Sequence, residues 1–260
     1  MVDPVFVKIC GITNEDDALL AVAMGADAVG FVFAPSKRQV APVRAGDIAK
    51  RLPSHILTVG VFRNEAPKRV VEIMNRHGLV AAQLHGAESA TDTQWIKERV
   101  PRVIKAFPAG TSQLAQAEEW GSNPILLDAP TPGSGETFDW RLAQQVPETL
   151  RFILAGGLGP DNVAGAIETV RPWGVDVASG VERAPGRKDP VALRAFVTEA
   201  RAAFAQIPVT APPAEPVQAT DESGERPHEI VDVTDGAAGD VAGDVTADPN
   251  PGPYDWRTDG

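Results

Sequence analysis

The chain has 260 residues, 43% of them hydrophobic, with a single cysteine and a formal net charge of −11. One cysteine excludes an internal disulfide and fits a reducing compartment, and residues 1–7 lack the basic region and apolar run of a secretory signal. No apolar stretch approaches the ~18 residues of a membrane span, so we expect a cytoplasmic protein without a membrane partner.

Apolar, strand-like runs alternate with amphipathic or helix-favouring segments along the first 207 residues. Strands are predicted at 6–10, 28–33, 57–62, 81–85, 103–107, 125–128, 152–155 and 175–179. Helical segments are predicted at 15–25, 44–52, 67–77, 89–99, 112–120, 140–145, 161–169 and 190–206. Eight strand–helix units, repeating about every 20–30 residues, are typical of an α/β fold of the (β/α)8 TIM barrel type. A doubly wound open sheet has the same local alternation and is the alternative.

A change of composition at Pro208 divides the chain into a predicted barrel domain at 1–207 and a tail at 208–260. The tail holds 12 acidic residues and two arginines, which leaves 23 acids against 22 bases before it. The barrel domain therefore has no basic excess for nucleic acid. The tail is rich in proline and has too little apolar material to offset the entropy of ordering, so we expect it to be disordered. Tyr254–Arg257 resembles Phe138–Arg141, which leaves weak tail-mediated protein contacts as a possibility.

The only cysteine, Cys10, ends the first predicted strand, and Lys8 points to the same face of that strand. In a barrel of this type the carboxyl ends of the strands form the catalytic face. A lone cysteine is also commonly a small buried hydrophobe. Asp128 ends the sixth strand, so the two side chains offer a pair of titratable groups for acid–base chemistry. For Cys10 to act as a base its thiol pKa must be lowered, and Lys8 is placed to help.

Three glycine-rich loops follow predicted strands, at 132–135, 155–160 and 179–182. The loops after the last two strands of such barrels often bind phosphate through backbone N–H groups and a helix N-terminus. Each loop alone is equally typical of an ordinary turn. The two loops after the last two strands, which contain Gly156, Gly157, Ser179 and Gly180, together predict a phosphate site.

Four further polar residues are candidates for substrate contacts. Arg38, after the second strand, could bind a carboxylate through two parallel hydrogen bonds or be a solvated loop charge. Gln83 and His85 share one face of the fourth strand, and Asp176 near the end of the eighth could orient a hydroxyl or cap a turn. No group of His, Cys and carboxylate residues has metal-ligand spacing, and no dinucleotide fingerprint follows the first strand. We therefore expect no metal and no dinucleotide cofactor.

Taken in order, the motifs resemble the phosphoribosylanthranilate isomerases of tryptophan biosynthesis, from Val7 to about Phe204. The matching pieces are Lys8–Thr13, Gly30–Phe33, Ser36–Arg38, Gln83–Gly86, Leu127–Asp128, Gly133–Gly135, Thr137–Trp140, Leu154–Leu158, Val175–Glu182 and Pro185–Gly186. The tail after Pro208 departs from the family pattern.

The resemblance implies an Amadori rearrangement with Cys10 as general base and Asp128 as general acid. It implies that Arg38 contacts the anthranilate carboxylate, that the two late glycine loops bind the phosphate of a phosphosugar substrate, and that no cofactor is needed. Lys8, Gln83, His85 and Asp176 are expected to be further substrate-binding residues. The alternatives are another phosphosugar-isomerising barrel, of the histidine pathway or of dual specificity, and a non-catalytic binding scaffold. The other phosphosugar-isomerising barrels use a carboxylate where this chain has Cys10.

Overall fold

A computed structural model of the chain describes residues 6–129 and 140–207. Eight parallel strands close into a barrel in the order β1 to β8, with β8 pairing to β1. The closed barrel confirms the predicted fold and excludes the open sheet. The predicted glycine loop at 132–135 and the tail at 208–260 lie outside the described residues. The strands are β1 Phe6–Ile9, β2 Ala28–Val32, β3 Leu57–Phe62, β4 Ala81–Leu84, β5 Arg102–Pro108, β6 Ile125–Asp128, β7 Phe152–Leu154 and β8 Gly174–Val177.

Helices connect the strands on the outside of the barrel. The α-helices are α1 Glu15–Ala23, α2 Pro42–Ala49, α3 Pro67–His77, α4 Ala90–Lys97, α5 Val163–Val170 and α6 Pro190–Gln206. The predicted helical segments after β5 and β6 are 3₁₀ helices instead, at Ser112–Trp120 and Trp140–Gln145. The sequence did not predict a short 3₁₀ turn at Ser179–Val181 or the hairpin of β9 Glu182–Ala184 and β10 Arg187–Lys188. No helix in the described part of the chain is long and apolar enough to cross a membrane.

Local capping chemistry sets where several helices begin. The Asn14 side chain accepts a hydrogen bond from the Asp17 amide at the start of α1, and Ser89 does the same for Asp92 in α4. Asp189 accepts from two amides at the start of α6. Side-chain oxygens at these positions satisfy amides that have no partner within the helix. Each cap follows a strand–loop connection, so the local sequence turns the chain back along the barrel.

The strands separate two hydrophobic layers. One layer, between sheet and helices, contains outward-facing residues such as Val7, Ile9 and Leu84. The other fills the barrel interior and contains alternate residues such as Phe6, Cys10 and Ala81. This alternation, which follows from the two-residue period of a strand, confirms that Cys10 faces inward. It also directs the polar residues that end β4, β6 and β8 toward the barrel mouth.

Candidate active site

A cavity of about 220 Å³ opens at the carboxyl ends of the strands. Most of the residues predicted from the sequence line it: Cys10, Arg38, Gln83, His85, Asp128, Gly156, Gly157, Asp176 and Ser179. Two predicted residues, Lys8 and Gly180, are not among the lining residues. The fold therefore brings side chains from β1, β4, β6 and β8 to one space, as acid–base chemistry on a single substrate requires.

Lys8 lies beneath the cavity rather than in its wall. The residue is fully buried, and its Nζ donates to Asp176 Oδ1 at 2.9 Å, directly across the β1–β8 register. Burial disfavours the ammonium, but the charges of Asp176 and Cys10 outweigh it, so the pKa of Lys8 lies above its usual value. Gly30 of β2 leaves room for this group, because a Cβ there would lie 2.8 Å from Cys10 Sγ and 3.2 Å from Lys8 Nζ.

The Cys10 thiol is buried beside this ion pair. Burial is the largest influence and raises the pKa of Cys10 above its usual value, while Lys8 and Lys188 act in the opposite direction. Lys8 thus favours the thiolate, as the sequence indicated, but burial outweighs it. The thiol is therefore the stable form of Cys10 at neutral pH.

Asp128 is held by two hydrogen bonds of different kinds. Its Oδ1 accepts from the Ala129 amide at 2.8 Å, and its Oδ2 lies 2.9 Å from His85 Nε2. The other ring nitrogen of His85 lies 2.8 Å from Gln83 Nε2. Gln83, His85 and Asp128 therefore form one chain of side chains from β4 to β6. His85 contacts Asp128 directly, which the sequence alone did not indicate.

Arg38 reaches the cavity from the loop after β2, but much of its guanidinium is already occupied. Its Nε lies 2.9 Å from Glu182 Oε1, and its Nη2 lies 2.8 Å from Glu182 Oε2. This hydrogen bonding is the main reason why the pKa of Arg38 is raised. Buried Lys188 also donates to Glu182, at 3.2 Å, and to the carbonyl oxygens of Cys10 and Ala178. The Arg38 guanidinium is therefore already paired with a carboxylate of the protein, Glu182, and the contact with a substrate carboxylate stays a prediction.

The loops after β7 and β8 pack closely against each other and against Asp128. Gly156 has a φ of +85°, and a Cβ there would lie 2.5 Å from the Ala129 nitrogen and 2.9 Å from Asp128 Oδ1. A Cβ on Gly180 would lie 1.9 Å from the Leu158 carbonyl oxygen. Gly180 thus allows the contact between the two loops, whereas Gly156, Gly157 and Ser179 line the cavity itself.

Sequence reasoning missed three charged residues of this region. Glu182 and Lys188 lie on the β9–β10 hairpin, whose two short strands gave no sequence signal of their own. Arg63, just after β3, lines the cavity and has no hydrogen-bond or ion-pair partner among the described residues. Because β3 and β7 are four strands apart in a closed eight-stranded barrel, Arg63 lies across the mouth from the glycine loop after β7. Its position at a strand end, two residues after inward-facing Val61, could have indicated this.

The side chains that could bind a metal ion are His, Cys, Asp and Glu, and their arrangement can be checked in the described residues. Among residues 6–129 and 140–207, no group of three or more His, Cys, Asp or Glu side chains is arranged to hold a metal ion. The chemistry open to the cavity is proton transfer between a thiol and a carboxyl group, in a space flanked by backbone amides and arginines.

Comparisons with known proteins agree with this geometry. The family model for N-(5'-phosphoribosyl)anthranilate isomerase matches residues 7–199. The protein of that name from Desulforudis audaxviator is 48% identical over 205 residues, which cover 76% of this chain and 98% of the relative. Its namesake from Thermotoga maritima is 46% identical over 201 residues, which cover 75% and 98% respectively.

Solved structures give the same result. The phosphoribosyl anthranilate isomerase of Thermus thermophilus superposes with a TM-score of 0.72 at 40% identity, covering 76% of this chain and 99% of that one. An isomerase of this kind in complex with reduced 1-(o-carboxyphenylamino)-1-deoxyribulose 5-phosphate superposes with a TM-score of 0.68 at 42% identity, covering 76% and 100%.

Proposed function

Since the chain belongs to the N-(5'-phosphoribosyl)anthranilate isomerase family, we propose that Cys10 and Asp128 carry out the family's reaction as general base and general acid. The protein is an isomerase of tryptophan biosynthesis. It converts N-(5-phosphoribosyl)anthranilate to 1-(2-carboxyphenylamino)-1-deoxyribulose 5-phosphate by an Amadori rearrangement. The observation that supports the two roles best is that Cys10 and Asp128, from strands β1 and β6, line the same cavity.

Asp128 acts first in this scheme. A protonated Asp128 gives its proton to the furanose ring oxygen as the bond between that oxygen and C1 breaks. The anilino nitrogen supplies the electron pair that forms the C1 iminium. The Ala129 amide, which donates to the carboxyl group, stabilises the carboxylate that remains.

Cys10 then takes the proton from C2. The adjacent iminium accepts the electron pair of the C–H bond and forms an enolamine, which tautomerises to the ketone. The reaction needs no cofactor because the iminium is the electron sink. The thiol must first lose its own proton, which burial opposes, and the ammonium of Lys8 beneath it stabilises the resulting thiolate.

The two anionic ends of the substrate fix its orientation in this proposal. Backbone amides of Gly156, Gly157 and Ser179 bind the phosphate, with Gly180 holding the two loops together. Arg38 contacts the anthranilate carboxylate through the guanidinium donors that Glu182 leaves unoccupied.

The remaining predicted residues act around the ribose. Asp176, which Lys8 anchors, orients a substrate hydroxyl, and Gln83 and His85 supply polar surface on the opposite strand. A cytoplasmic location is part of the proposal, because a free catalytic thiol requires a reducing compartment. Weak protein contacts through residues 208–260 remain a prediction from sequence alone.

The test is turnover of phosphoribosylanthranilate by the purified full chain and by the variants Cys10→Ser and Asp128→Asn. We expect turnover by the wild type and losses of about 10²–10⁴-fold in each variant. A variant that folds normally and keeps wild-type turnover removes that residue from its proposed role. Comparable turnover of the corresponding histidine-pathway phosphosugar would assign dual specificity instead.

A further inference from the structure

One buried polar atom beside the cavity, Gln83 Oε1, has no partner among the residues that the structure describes. Gln83 is 1% exposed, and its Oε1 makes no hydrogen bond with any described residue. Its Nε2, on the same amide, lies 2.8 Å from His85 Nδ1. Buried polar groups are nearly always hydrogen-bonded, because an unpaired one loses its interaction with water without compensation. The orientation of this amide therefore decides which nitrogen of His85 carries the ring hydrogen.

The hydrogen-bond roles in this arrangement determine the state of Asp128. An amide nitrogen can only donate, so His85 Nδ1 must accept and the ring hydrogen must lie on Nε2. His85 Nε2 then donates to Asp128 Oδ2, 2.9 Å away. Both oxygens of Asp128 are then acceptors, Oδ1 from the Ala129 amide and Oδ2 from His85, and this favours the carboxylate, which has no proton to give to a substrate.

A half turn of the Gln83 amide gives a second arrangement. The oxygen and nitrogen of an amide occupy nearly equivalent positions, so the turn needs no other movement. Oε1 then accepts from a hydrogen on His85 Nδ1, and Nε2 takes the unpaired position in its place. His85 Nε2 is left as the acceptor of a proton carried by Asp128. The two arrangements differ by one proton and by the orientation of one amide.

We propose that Gln83 and His85 form a positioning pair that supplies Asp128 with its catalytic proton. Asp128 gives a proton to the ring oxygen of the substrate, which leaves a carboxylate beside an imidazole with its hydrogen on Nδ1. Exchange with water moves the ring hydrogen to Nε2. A second proton, taken from water at Nδ1, then lets the Nε2 hydrogen pass to the carboxylate. Cys10 releases the proton taken from C2 to water, so protons balance over one turnover. Gln83 turns with each change, donating to Nδ1 in one state and accepting from it in the other. This inference rests on the proposed role of Asp128 and adds the source of its proton.

Most of the charged groups around the pair are already neutralised by partners of opposite charge. Across the cavity, Asp176 is paired with Lys8 at 2.9 Å and Arg38 with Glu182. Behind β4, Lys105 is paired with Glu88 at 3.0 Å. Among the described residues, the other charged or titratable side chains that line the cavity are Cys10 and Arg63, and Arg63 has no ion-pair partner there. An imidazole is the side chain whose charge changes nearest neutral pH, which suits this exchange.

The variants Gln83→Glu and Gln83→Met test the proposal through the pH profile of kcat/KM. A carboxylate at position 83 can only accept from His85 Nδ1–H. The arrangement in which Asp128 carries a proton should therefore persist to higher pH. The high-pH limb of the profile should then move up by about one unit or more. Gln83→Met offers no acceptor, so the same limb should move down and kcat should fall. An unmoved limb in Gln83→Glu, with only a higher KM from charge repulsion, would overturn the proposal in favour of a substrate contact.

Nitrogen NMR of ring-labelled histidine supplies a readout that does not depend on turnover. His85 signals, assigned with His85→Gln, should change from an Nε2–H to an Nδ1–H pattern as pH falls. A single unchanging pattern across the pH range in which kcat/KM varies would overturn the proposal. The proposed function fails separately, if folded Asp128→Asn keeps its turnover. Thermal unfolding of each variant verifies that it folds.

Discussion

Arg38 and Glu182 form a two-pronged ion pair that joins the loop after β2 to the hairpin after β8. The Arg38 side chain is 23% exposed and the Glu182 carboxylate only 4% exposed. Lys188 holds Glu182 from the other side and also binds the backbone at the ends of β1 and β8. This arrangement fixes the guanidinium at the cavity edge, but it neutralises part of the charge expected to attract a substrate carboxylate.

The first prediction compares the two cavity-lining arginines, Arg38 and Arg63. Arg38→Ala should raise KM for phosphoribosylanthranilate, because loss of a charge-assisted hydrogen bond costs about 1.5–3 kcal/mol. Arg63→Ala is the matched control, since Arg63 lines the same cavity with no described partner. Steady-state kinetics of both variants show which arginine contributes more to substrate binding. A larger rise of KM in Arg63→Ala would assign the carboxylate contact to Arg63 and leave Arg38 a structural role.

The second prediction separates the two chemical steps. Asp128→Asn should block ring opening, whereas Cys10→Ser should allow it and block only removal of the C2 proton. Borohydride reduces an iminium, so Cys10→Ser should yield more reduced open-chain adduct than the reaction without enzyme, and Asp128→Asn should not. Mass spectrometry of the quenched mixtures measures the adduct. Equal trapping by both variants would contradict the assignment of acid and base.

Much of the barrel could be predicted because local signals determine it. Each strand is a short apolar run, and each α-helix begins near a proline or a capping residue such as Asn14, Ser89 or Asp189. The 3₁₀ helices after β5 and β6 were predicted only as helical segments. Their amphipathic pattern fits either type of helix, and tertiary packing decides between them.

The site was predictable in its residues but not in its contacts. Strand ends and the two-residue period place Cys10, Gln83 and Asp128 at the mouth. The pairing of Arg38 with Glu182 joins residues 144 positions apart, and that of Lys8 with Asp176 joins residues 168 apart. Nothing local in the sequence indicates such pairs, because they depend on closure of the barrel between β8 and β1.

The third prediction uses Cys10 as its own probe, since it is the only cysteine. Burial raises the pKa of Cys10, so alkylation by iodoacetamide should be slow at pH 7 and accelerate only above the usual pH range of a thiol. Lys8→Met should raise the pKa further, because the nearby ammonium stabilises the thiolate. Asp176→Asn should lower it, because the carboxylate opposes ionisation. Mass spectrometry measures the alkylation rate of each variant as a function of pH. Shifts in the same direction for both variants would refute this electrostatic account.

The fourth prediction concerns the tail. The curated relatives are 98% covered by about 200–205 residues of this chain, and α6 completes the eighth strand–helix unit by residue 206. Removal of residues 208–260 should therefore leave kcat/KM within a few-fold and leave the melting temperature nearly unchanged. Kinetics and calorimetry of the truncated chain check this. A large change in either would support docking of the tail through Tyr254–Arg257.

The fifth prediction concerns a buried ion pair that supports the loop after β4. Glu88 accepts from Lys105 Nζ at 3.0 Å and from the amides of Asn64 and Gly86, and both charged side chains are nearly fully buried. Glu88→Gln leaves the Lys105 ammonium without a counter-charge, and breaking a buried pair in this way costs about 3–5 kcal/mol. Three backbone carbonyls still accept from Lys105, so we expect a value near the lower end. Urea unfolding at pH 7 measures the loss.

The same ion pair predicts a pH dependence of stability. Burial works against the Glu88 carboxylate, but the charge of Lys105 and the Asn64 amide outweigh it and hold the pKa of Glu88 below its usual value. As pH falls, the unfolded chain therefore takes up this proton first. The stability difference between wild type and Glu88→Gln should be constant near neutral pH and shrink as pH falls below about 4. Glu72→Gln, at the exposed pair with Arg69, should change stability little at any pH. A difference that grows in acid, or an equal effect of both variants, would show that Glu88 does not stabilise the fold through its charge.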